Sequence, residues 1–168
     1  MRAFLLILNV FRKIPVFLGQ DNKKFQITKV AKGARSKNYI GVIEWLLSAG
    51  IVNVCYCMDN LELPLKGNYV PNNYKLYFMD TGLLVASLDD EASYDLRANK
   101  NFKTYKGGIY ENIVSDMLVK SGHDLYFYKN TKSTLEMDFF LRNADYLIPV
   151  EVKSTDGSTK TLNRLLNN

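Results

Sequence analysis

The stretch LEMDFFLRNADYLIPVEVK, residues 135–153, constrains the fold more than any other part of the chain. Two apolar, alternating runs flank a short polar turn, which predicts a β-hairpin. Pairing Asn143 with Ala144 across the turn sets Met137 opposite Val150 and Phe139 opposite Ile148. Successive side chains of a strand point to opposite faces. One face then carries Met137, Phe139, Leu141, Ile148, Val150 and Val152, a core. The other carries Glu136, Asp138, Pro149, Glu151 and Lys153. A slip of one residue would bury one strand's charges, so the hydrophobic pattern selects this arrangement. Asp138 is then diagonal to Glu151 on the neighbouring strand, at roughly 7–8 Å between backbones, and the two carboxylates can share one cation.

These residue types suit metal-assisted phosphodiester chemistry. Mg²⁺ is hard and takes oxygen ligands, usually one or two carboxylates with water. It polarises a phosphoryl oxygen and lowers the pKa of a bound water. Lys153, two residues beyond Glu151, can position that water or stabilise charge on the phosphate. Glu111, on the helix before the strands, can supply a further acid, or simply sit favourably in a first helical turn. The plainer reading of Glu151 and Lys153 is a solvated strand end with a weak ion pair.

The chain ahead of the hairpin divides into legible pieces. Residues 3–18 predict a helix interrupted at Pro15. A short helix near residues 26–31 ends at Gly33, and a second starts with Ser36 as its N-cap. Tyr39, Val42, Ile43, Leu46 and Leu47 recur at helical spacing, and Gly50 stops the helix. IVNVCYCM then alternates as a strand. Helix, turn, helix, strand is the order of a winged helix. Lys29, Lys32, Arg35 and Lys37 cluster about the turn, where a DNA-reading helix would enter a groove. The rival reading is a spacer that packs on another domain. Residues 59–74 read as a Pro/Asn-rich connection. DTGLLVASL predicts a helix capped by Asp80, and GGIYENIVSDMLVKSG a longer one, with KGG before it read as a turn. DLYFY adds a strand before the hairpin, and STKTLNRLL begins a last helix.

Charge is uneven. Residues 1–75 hold eleven Lys or Arg against four Asp or Glu, whereas residues 76–168 hold eleven against thirteen. A basic first half points to an anionic partner, usually nucleic acid. Cys55 and Cys57 fall short of a closed zinc site, and the one histidine, His123, is far away in sequence. Buried reduced thiols and a cytoplasmic setting are the expectation. The apolar start lacks a cleavage site, and no run reaches the ~20 apolar residues of a membrane span. Ser154, Ser158 and Thr159 have no nearby base, so no hydrolase triad is indicated.

The order helix with Glu111, strand, strand with Asp138, strand with Glu151-Val152-Lys153, then helix resembles the PD-(D/E)xK nuclease superfamily. KLYFMDTGLL, GGIYENIV, LEMDFFL and VEVKS are similar to the C-terminal domain, of unknown function, of a prokaryotic family of AAA-type ATPases. FRKIPVFLGQDNKKFQITKVAKGARSKNYIGVIEWLLSAGIV resembles that family's linker and winged helix. The resemblance implies an α+β chain in three parts. Residues 1–24 would be a residual lid helix and linker, residues 25–74 a winged helix-turn-helix, and residues 75–168 a restriction-endonuclease-like domain with a mixed sheet. It implies Glu111, Asp138, Glu151 and Lys153 as the site and Mg²⁺ as the metal, held by Asp138 and Glu151. It also implies DNA as a partner and an ATPase domain in cis. No G-x-x-x-x-G-K-[ST] occurs, so ATP belongs to the ATPase part and not to this chain. The superfamily's later helix and strand are incomplete here, which implies a truncated domain. Two further readings stand beside the nuclease: an inactive module docking DNA or protein for the ATPase, and a homo-oligomerisation domain.

Overall fold

The structure, a computed structural model, describes residues 2–102, 105–130, 135–155 and 158–166. Helix α1 spans Arg2–Leu18, α2 Ser36–Ser48, α3 Thr81–Ala86, α4 Ala92–Arg97, α5 Lys106–Lys120 and α6 Lys160–Leu166. Strands β1 Val52–Met58, β2 Tyr69–Phe78, β3 Leu125–Lys129, β4 Glu136–Asn143 and β5 Tyr146–Val150 form one mixed sheet in the order β2-β1-β3-β4-β5. Among the described residues only the β1–β3 pair is parallel. The α+β expectation and the mixed sheet are borne out.

Several local expectations need correction. Pro15 does not interrupt α1: the helix continues to Leu18, and Gly19 N–H donates to the Pro15 carbonyl. Val10, Ile14, Phe17 and Leu18 bury the stripe that holds it against the core. The first element of the helix-turn-helix order is a single 3₁₀ turn, Ile27–Lys29. Ser36 is the first residue of α2 rather than its cap, the cap position being Arg35. Lys106, Gly107 and Gly108 lie in the first turns of α5 instead of a turn before it. The expected division at residues 74 and 75 runs through β2, so β1 and β2 share the sheet that carries the hairpin.

The hairpin register is offset by two residues from the sequence expectation. Asn143 pairs with Tyr146, Leu141 with Ile148 and Phe139 with Val150, leaving Ala144 and Asp145 as the turn. Adjacent residues cannot pair across a hairpin without loop residues, and two is the smallest common loop. An even offset preserves the faces. A second irregularity does not: Tyr126 pairs with Phe140 but Tyr128 with Met137, so Phe127 opposes both Asp138 and Phe139. This β-bulge turns Phe139 into the larger core beside Phe127, and Met137 with Phe140 into a smaller one. The expected common face for Met137 and Phe139 is broken there.

The larger core gathers α1, α2 and α5 on the sheet, and the smaller joins Met58, Leu65, Tyr126, Met137 and Phe140 to Leu162 and Leu165 of α6. Tyr126 and Phe127, neighbours in β3, divide between them as the pleat requires. Cys55 and Cys57 are free and buried in β1. No helix among the described residues is long and apolar enough to cross a membrane.

Candidate functional site

Helix α5 lies against the sheet through two adjacent polar residues. Asn112, fully buried, accepts from Phe78 N–H at 2.7 Å and donates to the Phe78 carbonyl at 3.0 Å and to Thr81 Oγ1 at 3.1 Å. An amide can satisfy a strand end in this way because it carries both donors and an acceptor. The contact fixes the rotation of α5 and aims Glu111, one residue earlier, at the sheet.

Glu111 is 4% exposed. Its Oε1 pairs with Lys23 Nζ at 3.0 Å, and its Oε2 accepts from Tyr77 Oη at 2.8 Å. Lys75, in β2, extends beneath the same carboxylate and is 1% exposed. Its ammonium lies 3.1 Å from Glu136 Oε1, 3.6 Å from Glu111 Oε2 and 3.9 Å from Asp138 Oδ1. The approach to Glu136 is an ion pair without hydrogen-bond alignment, and among the described residues Nζ has no hydrogen-bond partner. The same ammonium sits 4.8 Å over the Phe127 ring, a cation–π contact. Glu136 turns its other oxygen to Lys129 at 2.6 Å. Asp138 Oδ2 accepts from Val152 N–H at 2.8 Å, which ties β4 to the segment after β5.

The electrostatics follow from this packing. Burial alone would discharge Lys75, but Glu111, Glu136 and Asp138 outweigh it and hold the ammonium above its ordinary range. Burial also works against the Glu136 carboxylate, yet Lys75 and Lys129 bring it below its usual value. Asp138 goes the other way: burial, and then repulsion from Glu111, push it up to about 6. Tyr77 is raised well above a phenol's usual value by burial and by Glu111, so it stays a donor.

Of the four expected site residues, Glu111 and Asp138 are brought together. Glu151 pairs with Lys153 instead, and neither joins the ion pairs around Lys75. Val150 and Val152, on either side of Glu151, pack against the larger core. The expected Mg²⁺ does not fit this donor set. Of the expected ligands, Asp138 accepts from Val152 N–H and lies beside Lys75 Nζ, and Glu151 pairs with Lys153, while Lys23 and Tyr77 take Glu111. Among the described residues no group of three or more His, Cys, Asp or Glu is arranged to hold a metal ion. Sequence reasoning passed over Lys75, Tyr77 and Lys23. The available signal was a lysine inside the strand run YKLYF, whose neighbours on both sides are apolar or aromatic.

The basic run is elsewhere on the surface. Lys29 ends the 3₁₀ turn, Lys32 and Arg35 occupy the link to α2, and Lys37 lies in the first turn of α2. All four are exposed, and none joins an ion pair found among the described residues. Six Lys or Arg and no Asp or Glu occur between Asp21 and Glu44.

Residues 2–94, more than half of the chain, match the model of the family described as Domain of unknown function (DUF8612). Residues 106–168 match the model described as Domain of unknown function (DUF4143). No curated protein and no solved structure matches the chain.

Proposed function

The chain belongs to the DUF8612 family, and we propose that it is a nucleic-acid-docking module of an AAA-type ATPase system rather than a metal-dependent phosphodiesterase. Lys75 carries this reading. Its buried ammonium lies among Glu111, Glu136 and Asp138, while Lys23, Lys129 and Lys153 pair with Glu111, Glu136 and Glu151, so lysines already occupy the acids a divalent ion would draw on. That leaves the exposed run Lys29, Lys32, Arg35 and Lys37 as the part of the chain that meets an anion. Exposed cations free of ion pairs bind a phosphate backbone by releasing its counterions. The ATPase setting draws on the sequence resemblance and on the DUF4143 match, a domain commonly associated with AAA ATPases. In this reading the nuclease-like order of α5, β3, β4, β5 and α6 survives as a scaffold, its acids serving the core. The turn before α2, with α2 and β1, serves as a winged-helix-like dock.

Fluorescence anisotropy of a labelled duplex tests it. Affinity is expected to fall linearly with the logarithm of salt. Changing Lys29, Lys32, Arg35 and Lys37 together to Gln should reduce that slope by about 0.9 for each phosphate that is no longer neutralised. Chelator and Mg²⁺ should have equal effects on binding beyond their ionic strength. Mg²⁺-dependent strand cleavage that disappears in Asp138→Asn would overturn the proposal in favour of the phosphodiesterase. Failure to bind duplex at low salt would overturn the nucleic-acid partner.

A further inference from the structure

We infer that the basic dock at α2 takes an unpaired nucleic-acid strand, with Trp45 as the surface on which a base stacks. This rests on the nucleic-acid-docking reading and deepens it.

α2 buries Tyr39, Val42, Ile43 and Leu46. At about 3.6 residues per turn, the sides turned away from that stripe carry Lys37, Gly41, Glu44, Trp45 and Ser48, all exposed. Trp45 is the chain's sole tryptophan and is 50% exposed. Among the described residues it joins no ring pair and no cation–π contact. A singly exposed apolar residue is ordinary. What sets Trp45 apart is the charge that leads up to it. Lys29, Lys32, Arg35 and Lys37 are exposed, and Lys37 stands two turns before Trp45, roughly 12 Å along the helix axis.

Gly41 lies midway between Lys37 and Trp45. Glycine weakens a helix interior relative to alanine. Packing does not require it here, since a Cβ on Gly41 would meet nothing within 4 Å among the described residues. A strand lying close against the helix does require it, because glycine is the residue that lets a ligand approach a backbone.

The arrangement suits one strand better than two. A helix that reads a duplex sits in the major groove beside a first helix that crosses the phosphate backbone. Here the first element is the single turn Ile27–Lys29. α2 also has no cation beyond Lys37. In a duplex the faces of the bases are covered by their neighbours in the stack, so an indole finds nothing to lie on. In an unpaired strand those faces are free, and stacking on an aromatic ring tolerates any base. Glu44 repels phosphate, so that at this end of α2 a base rather than the backbone meets Trp45. Cations that track the backbone, joined to a ring that receives a base, are the means by which single strands are held.

The sole tryptophan reports on its own contact. Emission of the full chain is to be followed at low salt with an oligodeoxythymidine strand and, separately, with a duplex of equal length. The strand should quench Trp45 saturably. The duplex should bind through the lysines, as seen by anisotropy, without quenching. Trp45→Leu, at an exposed position, should weaken the strand about tenfold and leave the duplex unchanged. Gly41→Gln should also weaken the strand while the thermal midpoint holds or rises. Changing Lys29, Lys32, Arg35 and Lys37 to Gln should weaken both ligands. Strand affinity indifferent to Trp45→Leu, with duplex binding intact, would overturn the inference and leave the docking reading standing. Binding of neither strand nor duplex would overturn the docking reading, and the inference with it.

Discussion

The ammonium of Lys75 stands 3.1 Å from Glu136, with 1% of the lysine reachable by water. Lys75 is the cation shared by three buried or half-buried acids. Removing one partner of a buried ion pair typically costs about 3–5 kcal/mol, because the remaining charges lose their compensation. Lys75→Met should therefore lower the free energy of unfolding by about that much at neutral pH. The loss should shrink on acidification through about pH 6, as Asp138 takes a proton and the repulsion eases. Urea titrations across pH would show it, and a variant as stable as the parent at neutral pH would refute the role.

Asp138 makes its own prediction. Its carboxyl is raised from 3.8 to about 6 by burial and by Glu111. Between those values the folded chain keeps a proton that the unfolded chain has lost. Stability contributed by the protonated form is whole below about pH 4 and falls as pH rises through about 6, by up to about 3 kcal/mol. Asp138→Asn does not titrate and keeps an oxygen for Val152 N–H. The stability of Asp138→Asn relative to the parent should thus increase across that window and level off above it. A difference that is flat with pH would contradict the assignment.

Two neighbouring glycines should behave oppositely. A Cβ on Gly108 would lie 2.3 Å from the Leu18 carbonyl oxygen, backbone that cannot move aside without shifting α1. A Cβ on Gly107 would meet nothing within 4 Å among the described residues. Gly108→Ala should destabilise by about 1–3 kcal/mol, as overpacking does. Gly107→Ala should be neutral or stabilise by up to about 1 kcal/mol, from the gain in helix propensity. Thermal denaturation of the pair distinguishes close helix approach from a general intolerance of change at the start of α5.

Asn112 ties α5 to the end of β2 by bonding both backbone groups of Phe78. Asn112→Ala leaves a buried N–H and a buried carbonyl without that partner. A loss of roughly 2–4 kcal/mol is expected. Faster amide exchange of Phe78 than of other residues in β2 would locate the effect. Unchanged protection there would show that another group had taken over.

What could be read in advance follows the physics of each segment. α2, β3 and the cap of α3 were legible because periodicity or a capping side chain marks them. Asp80 does accept from Gly82 N–H at 2.6 Å. α5 was legible in extent from its Gly122 stop but not in its face: Ile113 and Met117, spaced with Ile109 as a buried stripe, are exposed, and Glu111, Asn112 and Ser115 are buried. β2 was only half visible, since YVPNNY has the composition of a turn. Pro71 and the asparagines are tolerated because β2 is an edge strand and its pairing with β1 jumps from Tyr74 to Val70 there. The faces of the hairpin were readable, but its offset and bulge were not. An alternating pattern reports parity alone, and the adjacent Phe139 and Phe140 were the one hint of an extra residue. Glu111 and Asp138 were found by type and order. Lys75 was missed because a strand lysine is ordinarily expected to face water, and only tertiary contacts reveal that it faces three acids.

The parallel contact between β1 and β3 has a consequence for how such a chain can be inherited. Cys55 and Leu125 are partners in the middle of the sheet, although seventy positions separate them. A copy that kept only the stretch before α5 would expose the edge of β1. One that kept only the stretch after α4 would expose the edge of β3. Each raw edge would invite pairing with a foreign strand. A cut between α4 and α5, where the two family matches part, would therefore leave each stretch with an adhesive edge that the other covers in the intact chain.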